Sequence, residues 1–496
     1  MAAKRESKKS LTKDSHAGAG SIEHTENPAR KGKTRGKTPG SAAVPPPTRS
    51  DTASAPTTGS AVAMGERALD RPVFGQPQPT PDPTVFRVPH PSDDASYKEI
   101  DTLNAEHKLF PLPFPTPRGG VEPRLTLADV FGGNTAAINR ITASGQIAFH
   151  ALGDCGNTKG PATQNEVADK MTADFNETTP GEVPQFALML GDVVYSFGEG
   201  KYYYDQFYEP YRDYPAPILA CAGNHDGMVS PEAHTASLAA FLRNFCAQSF
   251  LVTPEAGGLS RTAQIQPGVF FTFEAPFVRV LVIYSNTLED PGVISDSNIG
   301  RTQLEFLDAA LKRIKAEKFN GALLIADHHP PYCAGGHGSS TDMLKQIDAI
   351  CETNGVWPHA FLSGHAHNYQ RFTRTRSADG TQIPYIVCGN GGHGLIKLAA
   401  YGAPTMRVPQ IAQAASGGDD LVVLENYDDT NYGYLRVVVT GAQLRIEYHS
   451  ASDGPNSKAP NDYVAIDLAK RKIAHFVAPD MGLPVAARAV RAMLKR

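Results

Sequence analysis

Five short stretches of this 496-residue chain carry side chains that bind hard or borderline cations. Asp154 lies in "GDCG", Asp192 in "GDVVY", Asn224 and His225 in "GNHD", His328 and His329 in "DHHP", and His365 and His367 in "GHAH". Tyr195, three residues after Asp192, adds a phenolic oxygen. The set mixes carboxylate, amide and imidazole donors and contains no cysteine, which suits iron, manganese or zinc better than a thiolate site. It holds more donors than one ion needs and suits two, with Asp192 as the carboxylate that bridges them. Two ions about 3.5–4 Å apart can clamp a phosphate, lower the pKa of a bound water and stabilise both the attacking and the leaving oxygen.

Each stretch also has a plain structural reading. Gly-Asp after a strand is a common turn. Asn after Gly tolerates left-handed backbone. Two histidines two residues apart point the same way on extended chain, toward one site or toward solvent. Tyr195 is equally at home as a core aromatic. What favours chemistry is the conjunction, because coordinating side chains close five separate apolar runs.

Those runs must do the positioning. Seven of them recur from residue 145 onward: 145–154, 184–192, 217–226, 278–286, 321–329, 358–367 and 383–392. Apolar runs of this length followed by turn residues predict buried strands. Helical patterns separate them at 163–177, 230–246, 301–317 and 340–353. In the third of these, Leu304, Leu307, Leu311 and Ile314 form one apolar stripe. Strand–helix alternation predicts an α/β domain with largely parallel pairing and a site at the carboxyl ends of the strands. Near the end, "LRVVVTGAQLRIEYH" predicts a hairpin around Gly441.

The flanks read differently. The net charge is −4, but residues 1–49 hold eleven Lys/Arg against four Asp/Glu, a basic tail on an acidic body. Residues 1–85 are rich in Pro, Ser and Gly and poor in large apolar side chains, so disorder is expected. That tail could touch nucleic acid or an acidic surface, or only keep the chain in solution. Residues 86–140 include "KLFPLPFPTPRG" and are expected to form an extended strap, because Pro blocks both helix and sheet donors. Residues 141–450 are expected to form the catalytic domain, and 451–496 a C-terminal strand and basic helix. The six cysteines form no CxxC pair and are expected to be free thiols. The first residues show no apolar signal segment and no run is long enough to span a membrane, so a cytoplasmic protein is expected.

The five motifs in order, DxG, GDxxY, GNH with an acid, VxxH and GHxH, resemble the purple acid phosphatases within the calcineurin-like metallophosphoesterases. The resemblance covers about residues 145–450, and within the five motifs it departs only at Ile325, where the fourth has Val. It implies a four-layer α/β/β/α sandwich with a dimetal site at the carboxyl ends of the strands. It also implies that Asp154, Asp192, Tyr195 and His367 hold a ferric ion. Asp192, Asn224, His328 and His365 would hold a divalent iron, zinc or manganese. His328 rather than His329 fills the VxxH position. His225 would sit near the leaving group, and His337 in "CAGGHGSS" resembles the family's substrate-contacting loop histidine or is only a surface residue. His393 is expected to be loop structure near the pocket.

The expected function is hydrolysis of a phosphate-ester small molecule, with Asp192, His225 and His337 as catalytic residues. A metal-bound hydroxide would attack in line, and His225 or His337 would protonate the leaving alcohol. The alternatives are a phosphodiesterase acting on nucleotides or phospholipid headgroups, and a non-catalytic binding protein of the same fold. Two departures from the resemblance stand out: residues 1–144 do not read as the strand-rich N-terminal domain of plant members, and the family's usual secretion signal is not evident.

Overall fold

The computed structural model describes residues 84–91, 111–179, 181–228, 236–398, 406–412 and 419–474, with a few single positions between 92 and 110. The expected tail over 1–85 and the terminal basic helix therefore lie almost wholly outside the described residues.

The first strands are β1 (Arg124–Thr126), β2 (Gln146–Leu152), β3 (Pro184–Leu190) and β4 (Ile218–Cys221). Next come β5 (Phe271–Ala275), β6 (Val278–Val282), β7 (Ala322–Ala326) and β8 (Ala360–Ser363). They are followed by β9 (Tyr369–Thr375), β10 (Gln382–Cys388), β11 (Gln410–Ile411) and β12 (Leu421–Asp428). The last are β13 (Gly433–Thr440), β14 (Gln443–Ser450), β15 (Asp462–Asp467) and β16 (Lys472–Ile473). They build a nine-stranded sheet, β1-β5-β6-β7-β8-β10-β9-β12-β11, and a seven-stranded sheet, β16-β15-β14-β13-β2-β3-β4. All seven predicted runs contain a strand, and β13–β14 is the hairpin expected around Gly441.

The pairing is mixed rather than largely parallel. Parallel pairs run β2-β3-β4 at one end of the seven-stranded sheet and β6-β7-β8-β10 through the middle of the nine-stranded one. Antiparallel strands flank them, as in β13 against β2 and β9 against β10. The physical reason is loop length: the C-terminal strands are joined by tight turns, which only antiparallel neighbours permit.

The sheets face each other across one core. Phe186 of β3 stacks on Phe149 of β2 at 4.6 Å and meets Phe273 of β5 edge-on at 4.9 Å. Tyr369 of β9 stacks on Tyr448 of β14 at 4.0 Å. Strands β4, β7 and β8 are buried at every residue, so both faces of each are covered, as a layered α/β domain requires. Helices at Ala162–Ala173, Ala239–Phe245, Thr302–Ala316 and Thr341–Asn354 supply cover in the predicted places. Leu304, Leu307, Leu311 and Ile314 are all buried, as their stripe demands. Truncating one of them to Ala would cost about 2–5 kcal/mol.

Residues 111–117 run without helix or strand. The backbone N–H of Leu112 donates to Asn286 Oδ1 at 2.9 Å, and the Arg118 guanidinium donates to the carbonyls of Cys246, Ala247 and Gln266 at 2.9–3.0 Å. Within the segment 86–140, β1 and helices at Leu127–Val130 and Thr135–Ser144 follow this irregular stretch. β15 and β16, within 451–496, complete one edge of the seven-stranded sheet. All six cysteines are free. Among the described residues, no helix is long and apolar enough to cross a membrane.

Candidate metal centre

The carboxyl ends of parallel strands from both sheets meet at one point. β2 delivers Asp154, β3 delivers Asp192 and Tyr195, and β4 runs into the one-turn helix Asn224–Gly227. From the other sheet, β7 delivers His328, and β8 delivers His365 and His367. Two hydrogen bonds tie the sheets here: Gly153 N–H donates to Cys388 O at 2.7 Å, and His365 N–H to Asp154 Oδ2 at 2.7 Å.

Sharp turns aim the side chains. Asp154, Asp192 and His365 have φ of 56°, 53° and 69°. Non-glycine residues adopt this left-handed region at a cost, and such strain gathers at functional sites. Gly191 (φ 95°) must be glycine twice over, because a Cβ there would also overlap the His328 ring. A Cβ on Gly223 would strike the Asp192 carboxylate, so close approach excludes a side chain there too. Buried Asp226 ties the two loops together. Its carboxylate accepts from Gly223 N–H at 2.9 Å and from Val193 N–H at 3.1 Å. Burial, with the charge of Asp192, pushes its pKa up to about 7.

The donor atoms face one another. His328 Nδ1 donates to Leu190 O at 2.8 Å, which leaves the Nε2 lone pair pointing at Asp192 Oδ2, 3.2 Å away. His365 Nδ1 lies 3.2 Å from that same His328 Nε2. His367 Nδ1 donates to Gly394 O at 3.0 Å, and its Nε2 lies 3.4 Å from Asp154 Oδ1 and 3.2 Å from the Tyr195 hydroxyl. The Tyr195 hydroxyl itself is 3.0 Å from Asp154 Oδ1. Lone pairs that face at such distances repel unless a proton or a cation lies between them. Burial alone would lower the His328 pKa, but the charges of Asp192 and Asp154 outweigh it and push it up to about 10. The Asp192 carboxyl is held below its ordinary value: burial would raise it, and the His328 and His225 charges prevail.

Two further atoms fit a cation. Asn224 is fully buried and its Oδ1 has no hydrogen-bond partner, although its amide N–H₂ donates to Glu289 at 3.2 Å. Asp192 Oδ2 is also without an aligned donor, its contact with His328 notwithstanding. Asp192, His328 and His365 each offer one atom within 4.8 Å of the other two. Outer hydrogen bonds on His328 and His367 leave the inward nitrogen free, the usual arrangement around metal-binding imidazoles.

The calcineurin-like phosphoesterase family pattern matches residues 148–369. The chain is 24% identical over 339 residues to purple acid phosphatase 3 of Arabidopsis thaliana, covering 64% of this chain and 79% of that protein. It is 25% identical over 258 residues to tartrate-resistant acid phosphatase type 5 of Mus musculus, covering 49% and 72%. Residues 148–369 thus form a calcineurin-like phosphoesterase region, and the chain is similar to purple acid phosphatases. A solved purple acid phosphatase from yellow lupin (Lupinus luteus) seeds superposes with a TM-score of 0.45 at 14% identity, over 67% of this chain and 57% of that one. The metallophosphoesterase is a metal-dependent phosphoric ester hydrolase, acid phosphatase-like, with a dinuclear metal centre.

All seven residues expected to hold metal meet in this phosphoesterase site. His225 lies at its edge: the ring donates from Nδ1 to Ser196 O at 2.7 Å, and Nε2 is 4.0 Å from Glu289. His337 packs its ring 4.3 Å from that of His365. His329 faces away. Both its ring nitrogens are engaged, Nδ1 with the Ser285 hydroxyl and Nε2 with Leu288 O, each at 2.7 Å. Burial, with the charge of His328, pushes its pKa down to about 3.

Sequence reasoning passed over three residues and gave a fourth too small a part. Glu289 and Asp290 follow the 278–286 run, which was read as ending without a donor at Asn286; the acidic pair before Pro291-Gly292 was the available signal. Gln206 pins the Tyr195 backbone by accepting from its N–H and donating to its O, both at 2.8 Å, and no sequence signal marks it. His393 does more than fill a loop. It stacks on the Tyr195 ring, and its backbone N–H donates to Asp154 O at 2.9 Å.

Proposed function

We propose that Asp154, Asp192, Tyr195 and His367 hold a ferric ion, and that Asp192, Asn224, His328 and His365 hold a divalent iron, zinc or manganese. In this reading the centre hydrolyses small-molecule phosphate monoesters. The observation that carries it is the inward-facing donor atoms of Asp192, His328, His365 and His367, which bound cations would reconcile. When bound, such an ion pair supplies Lewis acidity toward phosphoryl oxygens and makes water acidic enough to attack at neutral pH.

The chain does the remaining work. Asp192 keeps the two halves of the donor set in register, because its Oδ1 accepts from His225 N–H at 2.9 Å while Oδ2 faces His328. His225 and His337, at the rim, are placed to give a proton to the departing alcohol oxygen. Tyr195, buried between the Asp154 carboxylate and His367, supplies the phenolic oxygen that distinguishes a ferric site from the broader two-metal class.

The test compares 4-nitrophenyl phosphate with its bis ester on metal-analysed protein. Faster turnover of the monoester with about two metals bound supports the reading. Preference for the bis ester makes the protein a phosphodiesterase, and bound metal with no turnover of either makes it a binding protein.

A further inference from the structure

Asp290 stands between two imidazoles with different tasks. Its Oδ2 lies 3.2 Å from His337 Nδ1, and its Oδ1 lies 3.4 Å from His365 Nε2. Oδ1 also accepts from Gly338 N–H at 3.1 Å. The segment bearing Asp290 is closed on itself and onto the His337 loop. Val293 N–H donates to Ser285 O at 2.9 Å, and Gly292 N–H donates to Ser340 Oγ at 2.9 Å. The carboxylate is therefore held in place by backbone on both sides, although its side chain is 23% exposed.

Asp290, His337 and His365 each offer an atom within 4.8 Å of the others, which has the outline of another cation site. The chemistry of His365 argues against that. A neutral imidazole has one lone pair, and the nitrogen without it carries a proton. His365 Nδ1 faces His328 Nε2 at 3.2 Å, inside the donor set that includes Asp192. With Nδ1 spent there, Nε2 is an N–H. It is buried, it has no aligned hydrogen-bond partner, and the nearest acceptor is Asp290 Oδ1. Metal-binding histidines commonly give this outward N–H to a carboxylate, which fixes the ring and raises its basicity.

We infer that Asp290 is a positioning residue: it takes the Nε2 proton of His365 through Oδ1 and the Nδ1 proton of His337 through Oδ2, so one carboxylate orients a metal-binding ring and a substrate-facing ring together. This rests on the dimetal reading above. A single carboxylate that serves both links the strength of metal binding to the placement of the proton donor.

The experiment uses Asp290→Ala, Asp290→Asn and His337→Ala beside the wild type. Each full-length protein is stripped with a chelator, and zinc is titrated back against a chromophoric chelator. Initial rates on 4-nitrophenyl phosphate then give kcat and KM. Asp290→Ala is expected to weaken zinc binding about 10–100-fold and to lower kcat at least as far as His337→Ala does. His337→Ala is expected to bind zinc as the wild type does. Asp290→Asn keeps the shape and serves if the alanine variant fails to fold. Its amide oxygen can accept from one histidine only, so weaker zinc binding or lower kcat is expected. Wild-type zinc affinity in both Asp290 variants overturns the proposal, and so does His337→Ala weakening zinc as much as Asp290→Ala. A wild-type protein that binds no zinc and turns over nothing overturns the phosphoesterase reading instead.

Discussion

Tyr195 and His393 lie face to face, with ring centroids 3.7 Å apart and planes 19° from parallel. His225 leans on the same tyrosine from 4.5 Å, so the phenol is clamped between two imidazoles. Burial, with the charges of Asp154 and Asp192, raises the phenol pKa well above its ordinary value. A trivalent cation at the hydroxyl inverts that balance, because the ion's own charge then dominates. Iron-loaded protein should therefore show a visible charge-transfer band. Tyr195→Phe should lose the band and keep its divalent ion, as read by absorption spectroscopy with metal analysis. An unchanged spectrum in the phenylalanine variant would mean the phenol does not touch the metal.

Asp192→Ala should remove metal and turnover together. The side chain is fully buried at the meeting point of the two sheets, and alanine removes the carboxylate that faces His328 Nε2 at 3.2 Å. Elemental analysis should find less than one ion per chain, with rates at background. Turnover at the wild-type level would dismiss Asp192 as the bridging carboxylate.

His337→Ala should separate chemistry from assembly. The residue is on a Gly-rich loop outside the donor set, so metal content should hold while kcat falls by roughly 10²–10⁴, the usual scale for losing a general acid. KM should change little. A loss of metal equal to the loss of rate would place His337 among the ligands.

Acid stability should depend on a cluster remote from the site. Glu447 is buried beside Arg436, whose Nη1 donates to it at 3.1 Å, and His449 lies 3.4 Å away. Burial would raise the carboxyl pKa, but the His449 hydrogen bond with the Arg445 and Arg436 charges lowers it to about 2. A lowered carboxyl contributes stability that is complete above the unfolded value and is lost as pH falls through the folded one. From its ordinary value near 4.5 down to about 2, this one group should remove on the order of 3 kcal/mol. Glu447→Gln should flatten the fall of unfolding free energy across that window in denaturant titrations. An equally steep fall in the variant would assign the effect elsewhere.

The convergence of these side chains was readable because it follows strand ends. A buried strand announces itself as an apolar run, and the residues that close it point into the crevice; Asp154, Asp192, Asn224, His328 and His365 all obey that rule. Asp290 escaped because it sits four residues past Asn286, on a loop whose course is set by contacts to Ser285 and Ser340 that no local pattern encodes. Gln206 escaped for the same reason, since its partner is the Tyr195 backbone. The strand pairing was misjudged because apolar runs report burial and not direction. β13 and β2 pair antiparallel although both are buried along almost their whole length, as a parallel central strand would be.

The two sheets contribute to the donor set in a fixed order along the chain, Asp154 first and His367 last. During synthesis nothing resembling the complete pocket can exist until the stretch through His367 has left the ribosome and β8 has docked beside β7. On the proposed reading, a growing chain shorter than this could present only part of the donor set to an ion.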